Sequence, residues 1–168
     1  MSNIDLSLFF SLSKTSFLVL IGITLCLYRL PYINKIFRSV HTLIHETGHT
    51  LIAFLTSGYT LRVELKSDLS GVAITRSKNR FQQFFVSIAG YPFASGVAYL
   101  FFFLILHELE KLLLISLFII ILLQLILNVR NVYGIVWSCI ALALLSGALF
   151  WKTESMVAVA IVVSAVLL

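Results

Sequence analysis

Phe84–Leu106, Leu112–Leu127 and Val132–Trp151 each run without a single charged side chain. An apolar run of roughly 18 residues or more is long enough to cross the hydrocarbon of a bilayer as a helix. In lipid, every backbone N–H and C=O must find its partner within the segment, and a helix meets that condition. The balance of residues closes off the soluble alternative. The 168 residues are 60% hydrophobic and 11% charged, against about 25% charged in an ordinary soluble domain. So short a chain has too much surface to hide that deficit in a core. The reading is an all-α polytopic membrane protein of about five to six transmembrane helices, forming a single domain over residues 1–168.

The net charge of +5 fits loop Lys and Arg that set topology and meet anionic headgroups. No Lys/Arg run reaches the length of a nucleic-acid arm, so no nucleic-acid partner is expected. Cys26 and Cys139 both lie in apolar runs without CxxC spacing, which gives neither a zinc ribbon nor a redox pair.

The first apolar segment is expected over Thr15–Leu30, interrupted by Pro31. The residues before it lack the basic start and small-residue cleavage site of a signal peptide, so the segment is expected to stay. A second helix is expected over Val40–Ser57, with Gly58 as its C-cap. The next stretch changes period. Thr60–Lys66 alternates polar and apolar, Val72–Arg76 does so less strictly, and Ser67–Gly71 has turn composition. That pattern predicts one short β-hairpin at about 59–77. Polar links at His107–Lys111, Asn128–Asn131 and Lys152–Glu154 separate the later segments. The last one, Met156–Leu168, is shorter than the roughly 20 residues of a spanning helix, so the chain is expected to stop inside a helix or to be incomplete. Arg62, Lys66, Arg76, Lys78 and Arg80 place the hairpin on the cytoplasmic side with Arg130, and the His107–Lys111 link opposite. Arg29, Lys35 and Arg38 also look cytoplasmic, which leaves the crossing of the Val40–Ser57 helix open.

That helix carries His45-Glu46-Thr47-Gly48-His49. Two His at i and i+4 share one face of a helix, where their imidazoles can bind one tetrahedral zinc. Glu46, on the same side, is placed to act as a general base toward water that the metal acidifies, and to return the proton to a leaving amine. Four His and five Glu in the whole chain seldom produce this spacing by chance. Three titratable groups within five residues of an apolar helix also need compensation in lipid, and a divalent cation supplies it. The blander alternative is a polar cluster that packs helices by hydrogen bonds. His41, one turn earlier, is an interfacial side chain, an outer hydrogen bonder or a substitute ligand. His107 is expected to be solvated.

The segment Thr42–Phe54 resembles the active-site helix of the site-2-protease group of intramembrane metallopeptidases. Gly58 and the hairpin with Ser70-Gly71-Val72 resemble the β-hairpin that follows in that group, and Ala89-Gly90-Tyr91-Pro92 resembles its Gly-Pro-containing third segment. Arg130-Asn131-Val132-Tyr133-Gly134 resembles an Arg-Asn-aromatic-Gly motif of a small branch. The resemblance covers about Val40–Gly134. It implies zinc held by His45 and His49 within the bilayer, Glu46 as the catalytic residue, and a hairpin that adds a substrate strand edge to edge. The group typically draws a third ligand from an Asp on a later helix. This chain has only Asp5 and Asp68, which leaves Asn131 as the best-placed substitute for the third ligand and Asn128 as a poorer one.

The leading expectation is an intramembrane zinc metalloendopeptidase that cleaves transmembrane or membrane-proximal protein substrates, in multi-pass form in a bacterial plasma membrane. The alternatives are a catalytically inactive binding or scaffold protein of the same fold, and a membrane zinc hydrolase acting on lipid or a small amide.

Overall fold

The computed structural model describes residues 26, 29–56, 59–68, 70–107 and 109–150. The expected Met156–Leu168 helix, the Lys152–Glu154 link, the Gly58 cap and nearly all of the Thr15–Leu30 segment lie outside them. The chain forms two compact units, Met1–Lys35 and Ile36–Leu168. In the first, Cys26, Arg29 and Leu30 are exposed.

Helix α1 spans Pro31–Leu55 and begins well before the expected Val40. Proline explains the early start: its φ is preset for a first helical turn, and its missing N–H would be unbonded there anyway. From Val40 onward α1 buries Val40, Leu43 and Ile44, positions three and four apart that line one face.

The hairpin forms where the alternation predicts it, as β1 (Tyr59–Leu65) and β2 (Gly71–Arg76). They pair antiparallel with Val63 opposite Ala73 and Leu65 opposite Gly71. Lys66 N–H donates to Ser70 O across the turn at 2.9 Å. Inside it, the Ser70 hydroxyl and N–H both donate to Asp68 Oδ1, at 2.6 and 3.0 Å. Those bonds hold the Asp68 carboxyl below its usual range.

The expected Phe84–Leu106 segment is two helices, α2 (Arg80–Ile88) and α3 (Gly90–Leu106). Pro92 accounts for the break: it has no N–H for Ile88 O, and its ring would press on that carbonyl in an unbroken helix. The Asn79 side chain accepts from Gln82 N–H at 2.8 Å and caps the start of α2. The buried Gln82 amide donates to Thr56 O at 2.6 Å, fastening α2 to the end of α1. Helices α4 (Glu110–Leu127) and α5 (Val132–Phe150) follow. Arg130 closes α4 by donating to the carbonyls of Ile126, Leu127 and Val129 at 2.8–3.2 Å, a cation where the helix dipole is negative.

The core joins Leu43 and Ile44 of α1, Val63 and Leu65 of β1, Phe101 of α3 and Leu117 of α4. Outside it, Phe81, Tyr99, Ile126 and Leu144 are exposed, an apolar exterior suited to lipid. Among the described residues, 80–105 (counted across the break) and 132–149 are long and apolar enough to cross a membrane, and 111–127 is a shorter apolar helix.

Candidate metal centre

On α1 the i, i+4 spacing brings the rings of His45 and His49 together. Their Nε2 atoms face each other at 3.1 Å. Ligand nitrogens about 2.0–2.1 Å from a tetrahedral zinc stand about 3.3 Å apart, so the pair is set for one ion between them. A carboxylate oxygen of Glu46 completes a group whose ligand atoms lie within 4.8 Å of one another. Two imidazole nitrogens at this spacing suit a zinc-like cation, and the carboxylate stands close beside them.

The neighbours fix each member. His49 Nδ1–H donates to Val86 O at 2.6 Å, which leaves the Nε2 lone pair free for a metal. The His45 ring packs against the backbone of Gly90, where an added Cβ would collide with the imidazole. The Tyr91 ring meets it edge to face at 4.5 Å. Glu46 is buried, and its carboxylate lies beside β2, near Gly71 and the N–H of Ala73. Gly48, expected to permit a close neighbour, lies against Ala89 O and Phe93, each 2.7 Å from an added Cβ. One turn after Glu46 the buried Gln124 amide donates to Thr50 Oγ1, and Thr50 donates to Thr47 O, both at 3.0 Å.

His41 is half-buried and stacks on His45 with centroids 6.4 Å apart, outside the three-residue group. His107 ends α3, exposed, with Nδ1–H donating to Phe103 O at 2.8 Å. Asn131 has a different partner from the one expected. Its Oδ1 accepts from Leu65 N–H at 3.1 Å and its Nδ2 donates to Leu65 O. Both ends of that amide are thus engaged by strand β1. Asn128 likewise donates to Gln124 Oε1 at 3.0 Å.

Sequence reasoning did not single out Val86, Ala73 or Gln124. Val86 and Ala73 act through main-chain atoms, which their side chains do not advertise. Gln124 left a usable signal as the amide within the apolar run of α4.

The Peptidase M50B-like family matches residues 17–168. The chain belongs to this site-2-protease-like family. The match spans the HExxH helix, the hairpin and the later helices together, so a metallopeptidase kind of protein associated with membranes is supported by the whole arrangement rather than by the motif alone. No curated protein and no solved structure matches the chain.

Proposed function

We propose that this M50B-like protein is an intramembrane zinc metalloendopeptidase. It would cleave transmembrane or membrane-proximal peptide segments within a multi-pass fold of about five to six helices, in a bacterial plasma membrane. The observation that carries the reading is the facing pair of Nε2 atoms at 3.1 Å with the buried Glu46 carboxylate beside them.

His45 and His49 would hold the ion. When bound, zinc supplies Lewis acidity, which polarises a peptide carbonyl and acidifies water near neutral pH. Glu46 takes a proton from water and delivers it to the departing amine nitrogen. Val86 O keeps His49 in the tautomer that leaves Nε2 bare, and Gly90 and Tyr91 hold the His45 ring.

The hairpin supports a particular substrate geometry. Val63 N–H donates to Asn128 O at 2.8 Å, and Val63 O accepts from Arg130 N–H at 3.3 Å. The groups of Val63 therefore point away from β2. In an antiparallel ladder the facing residue, Ala73, then points its own N–H and C=O away from β1. Leu65, bonded to Asn131, likewise leaves Gly71 facing outward. The edge turned away from β1 is thus that of β2, and it runs past Glu46, so a guest strand would take the Ala73 N–H from the carboxylate. An extended peptide paired there would have its backbone beside the acid–base group.

The test uses purified full-length protein in detergent or nanodiscs. It should carry about one zinc per chain. Glu46→Gln should keep the zinc and lose cleavage of a transmembrane substrate. His45→Ala should lose the zinc. Cleavage by Glu46→Gln at the parent's rate would overturn the mechanism. A second reading, a non-catalytic relative of the same fold, is favoured by one observation: the Asn131 amide is already engaged by Leu65. Zinc bound without cleavage of any membrane peptide would support it.

A further inference from the structure

We infer that Asn131 is a positioning residue, acting as a side-chain rung of the sheet that sets the hairpin against Glu46. The consequence for cleavage rests on the peptidase reading above; the structural role does not.

The outer edge of β1 needs two rungs. At Val63 the main chain of 128–130 supplies one, as a short parallel bridge through Val129. The chain then turns into α5 at Val132, so the main chain of that turn does not continue to Leu65. Two residues along a strand is about 6.6 Å. Buried backbone N–H and C=O left without partners are costly, most of all away from water. The Asn131 amide offers one N–H donor and one C=O acceptor, as a peptide group does, and bonds both Leu65 groups.

Gly134 makes room for this rung. A Cβ there would stand 2.6 Å from Asn131 Oδ1 and 2.7 Å from Val129 Cγ1. Asn131 and Gly134, one turn apart, are therefore parts of one device, with the small residue opening the space that the amide fills.

The rung reaches the site in two steps. Leu65 pairs with Gly71, whose position is so close to α1 that an added Cβ would collide with Thr42 and lie 3.1 Å from Glu46 Oε1. Two residues on, the N–H of Ala73 lies near the same carboxylate. A shift of β1 at Leu65 moves both of these contacts. Asp lacks the donor needed for Leu65 O, Gln carries the amide one methylene further out, and Ala supplies neither group.

The experiment compares the parent with Asn131→Ala and with the isosteric Asn131→Asp, in nanodiscs. Three readouts are taken: amide exchange at Leu65, zinc stoichiometry with the cobalt(II) absorption spectrum, and kcat and KM on a cleaved membrane peptide. Asn131→Ala should speed exchange at Leu65 by about two- to twelvefold, the weight of one net hydrogen bond. Zinc and the cobalt spectrum should stay as in the parent. In a parent that cleaves, kcat should fall about tenfold or less with KM unchanged. Asn131→Asp should give intermediate exchange and no tighter zinc binding. Unchanged Leu65 exchange, a shifted cobalt spectrum, zinc loss in Asn131→Ala or tighter zinc in Asn131→Asp would each overturn the inference in favour of a metal ligand or a passive side chain. A parent that never cleaves removes the peptidase reading but leaves the exchange and cobalt results to judge Asn131.

Discussion

At the scale of single residues, the site is held by atoms that carry no chemistry themselves. His45 is packed by a residue with no side chain, Gly90, so Gly90→Ala must displace the imidazole from its present place. Zinc affinity should fall by about tenfold or more, in the range seen when groups that orient a ligand are altered. Titration with a competing chelator measures it, and affinity equal to the parent's would show that the ring has room to spare. His45, Glu46 and His49 were legible because the helical repeat alone places them together. Asn131 was legible as an important polar residue in an apolar tail, but not in its role. An amide beside a metal motif looks like a ligand until the strand that uses both its ends is in view, and that strand is 66 residues away in sequence.

At the scale of elements, the hairpin is the part most open to test. Ala73 N–H points away from β1, so Ala73→Pro removes no rung between the strands; proline is tolerated on an edge for that reason. It does remove the N–H beside Glu46 and blocks pairing along β2. The expected outcome is a folded, zinc-loaded protein with cleavage reduced at least tenfold, the loss of about one charge-assisted hydrogen bond. Cleavage at the parent's level would mean that substrate does not use this edge. The strands appear within a residue or two of where alternation puts them, because period two survives any packing. The early start of α1 and the division of α2 from α3 were harder to read. Each is set by a single proline, Pro31 or Pro92, whose effect depends on whether it opens a helix or interrupts one. The Arg130 turn and the hairpin, expected on one side of the membrane from their charges, lie hydrogen-bonded to each other.

At the scale of the molecule, a bound ion that clasps α1 should stabilise the folded state in proportion to its saturation, by about 2.7 kcal/mol at a hundredfold excess over Kd. Chelation should therefore lower the thermal midpoint of the parent and leave His45→Ala unmoved, which scanning fluorimetry in detergent can check. An equal drop in both would assign the effect to another site. The bilayer environment was readable from composition, since lipid tolerates what water does not. The joining of α2 to the metal helix was not readable, and it has a consequence of its own. In a continuous helix Val86 O would receive the N–H of Gly90. With the helix broken ahead of Pro92, α2 closes instead through a 3.3 Å contact from Ala89 N–H, and the oxygen also accepts His49 Nδ1–H. By interrupting the helix, a ring-closed imino acid thus leaves free the oxygen that decides which nitrogen of His49 keeps its hydrogen.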